Sequence, residues 1–446
     1  MDTSSEIGVA PGGLPLLGHA LQMLRHPLDF LTSLRGTGDV VKIRLGPEWA
    51  YLVRHPDLVK QVLADAYTFD KGGIVFDKAR NILGNGLATC PAGDHLRQRR
   101  LLQPAFSRER LINYAVCMRD AARTRVESWH DGQVVEVDRE MGSLALTVAT
   151  RTLFSMDSVA ESPEEIQASI QTILSGIYRR VITPFEVVLR VPTRKNREFD
   201  QAMARMYSVI HQITEDYRTA GIDRGDLLSA LLAARDEDGT TGLTNREIRD
   251  QILALFLAGI ETTAAAMTWS FHLMGHHPEV EARLHAEVDT LLGDKPPGFE
   301  DVPKLTHAHR VITEALRLYP PLWLLTRRTT AEVKLGNHLL QPGTAILFSS
   351  YAMHRDATYF EHPERFDPDR WLPERAKAVP RGAMIPFSAG KRKCLGDTFG
   401  MTEATIALAT VARRWRLRPV PGKRISSIAR ITLAPGAVPM RVERRS

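Results

Sequence analysis

The amino-acid sequence implies a mainly α protein with small β-sheets, and three observations carry that reading. From Pro56 onward apolar residues recur at helical spacing, broken at Pro91, Pro104, Pro184, Pro192, Pro278 and the turn Lys295-Pro296-Pro297-Gly298. One stretch opens on the capping box Thr244-Asn245-Arg246-Glu247 and stays apolar on several sides as far as His276. Ahead of Pro56, residues 40–45 and 50–53 flank Gly46-Pro47 in the pattern of a hairpin.

In chain order, Pro11-Gly12-Gly13-Leu14-Pro15 is an extended lead-in to that hairpin, which defines a small N-terminal β-rich region at about 36–55. A helical body is expected over 56–446. The helix at 244–276 would be roughly 48 Å long at 1.5 Å per residue, enough to cross the molecule, and its apolar sides predict burial. Further helices are predicted at 302–318 and 396–414. With 43% hydrophobic and 25% charged residues the chain can bury a sizeable core. No linker, internal repeat or low-complexity segment divides it, so residues 1–446 read as one domain.

Cys90, Cys117 and Cys394 cannot form a disulfide framework and lack C-x-x-C spacing, which implies a reducing, cytoplasmic setting. The first residues, up to His19, carry neither a leader pattern nor a long apolar run, so no membrane anchor is expected. The net charge of +6 is spread along the chain, with clusters at 97–100 and 391–393. Nucleic-acid binding is therefore the weaker reading. The clusters are either solvated faces or a docking patch for an acidic electron-transfer protein. His272, His276 and His277 have metal-like spacing without a third ligand and read as helix-end histidines. Gly36-Thr37-Gly38 and Gly84-Asn85-Gly86 lack the rest of a dinucleotide fingerprint.

Cys394 lies in Phe387-Ser388-Ala389-Gly390-Lys391-Arg392-Lys393-Cys394-Leu395-Gly396. A metal-binding thiolate needs nearby positive charge, a helix N-terminus and backbone donors, and Arg392, Lys393 and the following helix could supply them. A lone cysteine is otherwise a small buried hydrophobe. The spacing F-x-x-G-x-R-x-C-x-G, filled by Phe387, Gly390, Arg392, Cys394 and Gly396, resembles the haem-ligand loop of the cytochromes P450.

That resemblance implies a cytochrome P450 fold and haem b, with Cys394 as axial ligand to the iron and Phe387 and Gly396 beside it. Ala258-Gly259-Ile260-Glu261-Thr262-Thr263 interrupts a buried helix with a glycine, an acid and hydroxyls. Taken alone, the threonines satisfy helix carbonyls and Glu261 pairs with a cation. The resemblance makes Gly259 an opening for dioxygen, Thr262 a helper at the bound oxygen and Glu261 a relay of protons from solvent. Glu314 and Arg317 share a helix face at i and i+3, a spacing common in solvated ion pairs. The resemblance joins them to Arg370 in a buried structural triad under the cysteine loop. It likewise assigns the haem propionates to His95, Arg99, Arg327 and Arg392, since guanidinium groups suit carboxylates.

The activity implied is that of a haem-thiolate monooxygenase using O2 and external electrons. The chain lacks nucleotide motifs and stops soon after Cys394, so a ferredoxin and a ferredoxin reductase driven by NAD(P)H are expected, with the enzyme a monomer. By the same resemblance the substrate pocket is walled by 72–89, 170–188, 254–262, 322–326 and 431–434, with Phe76, Leu83, Ile173, Ile177, Phe256, Leu322, Leu324 and Leu433 prominent and Asp77, Arg179 and Arg180 at the rim. Such apolar walls suit a lipophilic molecule. The segments Gln103-Pro104-Ala105-Phe106, Trp323-Leu324-Leu325-Thr326-Arg327-Arg328 and Phe366-Asp367-Pro368-Asp369-Arg370-Trp371 are similar to those of bacterial P450s that oxidise cyclic sesquiterpenes. A pentalenene-like hydrocarbon, oxidised stepwise at a methyl carbon for antibiotic biosynthesis, is the expectation. The alternatives are a fatty acid, steroid or polyketide substrate, or a haem-thiolate peroxygenase or isomerase.

Overall fold

The computed structural model describes residues 7–154, 163–183, 186–236, 239 and 241–445. The expected break at Pro184 lies outside them. The long helix spans Asn245–Gly275, and both halves of its capping box form: Thr244 Oγ1 accepts from the Glu247 N–H, and the Glu247 carboxylate accepts from the Thr244 N–H. Two orphan amides are thereby satisfied where the helix begins. Pro278 opens the next helix, Pro278–Leu292, at its first position, where a missing N–H does no harm.

Asn245–Gly275 is long and apolar enough to cross a membrane, but 72% of its most apolar window is buried inside the protein. It is a core helix, packed on the helices Val137–Phe154, Thr306–Leu318 and Asp397–Ala412. Asp397–Ala412 is buried along almost its whole length from Thr402 to Ala412, which explains its lack of a polar face.

Thr306–Leu318 starts later than the expected 302–318. Residues 302–305 instead form a turn that follows the 3-10 turn Phe299–Asp301. The helix start is set from outside: the Glu287 carboxylate accepts from the N–H groups of His307 (2.6 Å) and Ala308 (3.0 Å). A carboxylate at a helix N-terminus meets both the unpaired amides and the helix dipole.

The predicted hairpin is Val40–Leu45 with Glu48–Val53, in the register Leu45↔Glu48, with Gly46 in the left-handed region at the turn. It is not a separate N-terminal unit. Ala345–Phe348 adds in parallel to Glu48–Val53, then Leu325–Thr329 and Phe69–Asp70 follow, giving five strands. Short strands thus also lie within the mainly helical body from 56 onward. Val134–Glu136, Pro439–Arg444 and Trp415–Pro419 form another sheet, and Ser427–Ala429 pairs with Leu433–Pro435 in a small hairpin. These strands are three to six residues long, too short to show a period in sequence.

Candidate functional site

The cysteine loop is held by backbone geometry before any side chain acts. Ser388 and Gly390 both have left-handed φ, +58° and +68°. A Cβ on Gly390 would fall 2.1 Å from the Leu63 carbonyl oxygen, so only glycine allows this approach. The turn lets the Cys394 N–H donate to the Phe387 carbonyl at 2.9 Å, and the helix Asp397–Ala412 begins just after Gly396.

Cys394 retains accessible surface although it lies deep in the protein, so that surface opens inward. Burial pushes its thiol up; the Gly396 N–H, Arg99 and Lys393 pull the other way without reversing the shift. Of the two cations expected to support the anion, Lys393 acts on the thiol while Arg392 is directed elsewhere. Arg392 turns to Asp70 Oδ1 (2.5 Å) and the Cys90 carbonyl (2.7 Å), while Lys393 pairs with Asp397. The anion would need a metal ion on the sulfur itself.

A group of cations surrounds this region. His95 and Arg99 share one face of the helix Ala92–Leu102. Burial, then Arg392, Lys71 and Arg99, hold His95 down to about 3, so its ring is neutral. Arg99 braces the loop by donating to the Lys393 carbonyl at 2.7 Å. Arg327 is buried, and its guanidinium donates to the carbonyl of neighbouring Thr326 at 2.8 Å. Burial and the Arg392 charge lower it to about 10. Lys71, which the sequence reading passed over, donates to the Ala88 carbonyl at 2.8 Å. Burial, with repulsion from Arg327 and Arg392, pushes it down to about 7.

Among the described residues neither Arg327 nor Lys71 has a carboxylate partner within ion-pair distance, because Asp70 is taken by Arg392. Buried charge without a counter-charge is unfavourable. A dianionic porphyrin edge would supply one, and Arg392 Nε is also buried without an acceptor. These residues fit haem.

The long helix opens toward the interior at one place. Ala258 is exposed in mid-helix, and a Cβ built on Gly259 meets nothing within 4 Å. Thr262 Oγ1 donates to the Ala258 carbonyl at 2.6 Å, and the helix continues unbroken. Thr262 thus bonds one turn back rather than opening the helix. The helix that follows the cysteine loop passes close by: a Cβ on Gly400 would lie 3.6 Å from Thr263 Oγ1. Glu261 leaves this window sideways, and its Oε2 accepts from Thr432 Oγ1 at 2.5 Å. Burial pushes the Glu261 carboxyl up, opposed by Thr432 and Arg430.

Glu314 and Arg317 are fully buried, far from the solvated pair their spacing alone allows. Arg317 Nε and Nη2 donate to the two Glu314 oxygens at 2.9 and 2.8 Å. Its remaining N–H groups reach the carbonyls of His354, Pro363 and Arg365. Glu314 also accepts from Arg370 Nε (3.3 Å), Trp371 Nε1 (2.9 Å) and the Asp367 N–H (3.1 Å). His354 extends the network toward the cysteine loop: Nδ1 faces the Arg317 carbonyl at 3.2 Å, and Nε2 accepts from the Ile385 N–H at 3.0 Å. Burial and Arg317 hold its ring down to about 3, so Nε2 is the acceptor.

Residues expected at the pocket fall into two groups. Leu83, Ile173, Ile177 and Phe256 join the main core, with Phe256 stacked on Phe154 at 5.5 Å. Leu324 and Leu433 join a second cluster around Trp323. Phe76 lies under the Lys71 ammonium at 5.7 Å, and Leu322 is exposed. Arg180 sits 3.5 Å from the centre of the Phe199 ring, Arg179 donates to Asn196, and Asp77 pairs with Arg80 at 3.3 Å. A cleft of about 570 Å³ opens between Lys78, Ile82, Arg180, Phe199 and Tyr207. His276 and His277 each place Nδ1 on a carbonyl of their own helix. The glycines at 84 and 86 serve contact with the long helix: the Asn85 N–H donates to Asp250 at 3.0 Å, where a Cβ on Gly84 would clash.

A family profile for cytochrome P450 matches residues 9–437. The chain is a cytochrome P450. It is 49% identical to cyclooctatin synthase of Streptomyces melanosporofaciens over 98% of this chain and 95% of that one. It is 46% identical to cyclooctat-9-en-7-ol 5-monooxygenase of the same organism, with the same coverage. Pentalenene oxygenase of Streptomyces avermitilis is 45% identical over 96% of this chain and 94% of its own. This P450 is accordingly a haem-thiolate monooxygenase, with haem b ligated by cysteine. It uses redox partners and binds O2 and an apolar substrate.

Proposed function

We propose that this P450 oxidises a polycyclic terpene of sesquiterpene or diterpene size, or its partly oxygenated form, in secondary metabolism. The observation that carries the reading is the inward-opening Cys394 surface, set near the Ala258–Gly259 window of the core helix and ringed by buried cations. Kinship along nearly the whole chain to enzymes named for pentalenene and for a cyclooctatenol supports the substrate class. The names cover both a hydrocarbon and an alcohol, which suits stepwise oxidation beginning at a methyl carbon.

Cys394, positioned by its N–H on the Phe387 carbonyl and by the Gly396 N–H, would hold the haem iron as a thiolate. Lys71, His95, Arg99, Arg327 and Arg392 would hold the propionate edge. When bound, haem supplies oxygen activation, and a thiolate ligand favours O–O cleavage. Thr262 presents its hydroxyl at the window, Glu261 passes protons, and Glu314, Arg317 and Arg370 keep the loop still. Residues 1–446 act as one domain, in the cytoplasm and as a monomer, with electrons from a ferredoxin and its reductase.

Binding difference spectra against terpene hydrocarbons, terpene alcohols, fatty acids, steroids and macrolides test the substrate class. Terpenes alone should displace the iron-bound water, and turnover with ferredoxin, reductase and NAD(P)H should give mono- and then further oxygenated products. Displacement by fatty acids or steroids but not terpenes would refute the class. Product formation without O2 or reductant would make the enzyme an isomerase or peroxygenase. Cys394→Ser should lose the thiolate-type carbonyl absorption.

A further inference from the structure

Glu261 is turned toward the hairpin of Ser427–Ala429 and Leu433–Pro435, whose connecting residue Thr432 is mostly buried and donates to Glu261 Oε2 at 2.5 Å. That tip is pinned on three sides. The Leu433 N–H donates to the Pro321 carbonyl at 2.8 Å, and Trp323 Nε1 donates to the Arg430 carbonyl at 2.9 Å. Arg430 Nη1 reaches Ser175 Oγ at 3.4 Å on the helix Pro163–Ile182, between Ile173 and Ile177. Within the tip itself the Arg430 N–H donates to the Thr432 carbonyl at 3.0 Å. Thr432 is flanked by Ile431, which packs on the main core, and by fully buried Leu433. The hairpin tip therefore touches the helix Pro163–Ile182, the 321–323 segment and Glu261 of the long helix at once.

From this placement we infer that Thr432 is a positioning residue for Glu261, tying the carboxyl that passes protons to the seat of a hairpin that the family resemblance puts at the pocket wall. The inference rests on the reading of Glu261 as a proton relay. The bond suits a relay because a hydroxyl both donates and accepts. It donates to the ionised carboxylate and can turn to accept from the protonated acid, so the tether survives both states of Glu261. Glu261 lies 171 residues from Thr432 in sequence, and the bond is the direct side-chain link between the long helix and the hairpin tip among the described residues. A substrate that presses on Ile431 or Leu433 shifts Thr432 with them and so sets where the carboxyl points. Poor seating of the hairpin then lets reducing equivalents leave as hydrogen peroxide.

The test uses the haem-loaded enzyme with ferredoxin and reductase, comparing Thr432→Val, Thr432→Ser and Glu261→Gln. Three quantities are read: peroxide released per NAD(P)H consumed, affinity from the binding difference spectrum of a terpene substrate, and hydrogen–deuterium exchange of residues 427–435. Thr432→Val, which keeps the shape but loses the hydroxyl, should raise the peroxide share several-fold with affinity unchanged, and should speed exchange in the hairpin. Thr432→Ser should restore coupling and protection. If Thr432→Val remains coupled while Glu261→Gln uncouples, the tether is refuted and the relay stands. If Glu261→Gln also remains coupled, the relay reading fails and the tether with it. Equal uncoupling by Val and Ser, with weakened affinity, would assign the effect to pocket shape and overturn the proposal.

Discussion

At Gly390 two constraints coincide, a left-handed φ and a Leu63 carbonyl oxygen where a side chain would begin. Either alone would strain an alanine; together they leave no backbone solution that keeps the Cys394 N–H on the Phe387 carbonyl. Ser388, also left-handed, shows that the loop already carries strain, at about 1–3 kcal/mol for such a residue. Gly390→Ala should therefore lower the fraction of protein with the thiolate-type carbonyl absorption while the helical circular dichroism signal persists. An unchanged absorption would mean that the loop is not set by this contact. The glycine, the cysteine and their spacing were legible in the sequence because the motif is local. Lys71 was not: nothing near it in sequence distinguishes a lysine that meets Arg327 and Arg392 only in the folded protein. For the same reason neither Thr432 as the partner of Glu261 nor Asp70 as the acid beside Arg392 is visible in the sequence.

Among the elements, the helix Thr306–Leu318 couples the site to its frame. It is capped from the preceding helix by Glu287, and its Glu314 and Arg317 gather the 354–371 segment by six bonds that their i, i+3 spacing gave no hint of. Every Arg317 N–H group has an acceptor, and Glu314 receives donors from four residues. Removing Glu314 leaves two buried guanidinium groups without their counter-charge, at a cost of about 3–5 kcal/mol. Glu314→Ala should thus give protein with little haem and a lower unfolding midpoint, and the haem-to-protein absorbance ratio checks it. Normal loading would place the network's role elsewhere. Sequence reading did well where an element carries its own start signal, as at Thr244. It failed for Ala345–Phe348, whose pairing with Glu48–Val53 is decided by contacts some 300 residues away in the chain, and for Leu325–Thr329, which joins the sheet through Ala345–Phe348.

Over the whole molecule, burial of neutral histidines gives stability a defined pH dependence. His354 is held down to about 3 by burial and Arg317, His285 to about 4 by burial and the nearby Arg445, and His272 to about 4 by burial and His276; burial also lowers His307. Each has a folded pKa below its unfolded value of 6.5. Their contribution is fully present above pH 6.5 and is lost as pH falls toward the folded values, because the unfolded chain takes up protons that the folded one refuses. Each such proton adds a slope of about 1.4 kcal/mol per pH unit. Glu403 works in the opposite sense: it is fully buried, its Oε1 has no donor, and burial pushes its carboxyl well above the ordinary range. Its contribution is present below pH 4.5 and lost as pH rises, and Glu261 acts in the same sense, but the histidines, joined by His95 and His309, outnumber these two carboxyls. The urea midpoint of the haem-loaded enzyme should therefore fall steadily from pH 6.5 to 5. His354→Gln can keep one donor and one acceptor in the network but cannot titrate, so it should flatten that fall. A midpoint constant across this range, or a slope unchanged in His354→Gln, would show that these rings are protonated in the folded protein.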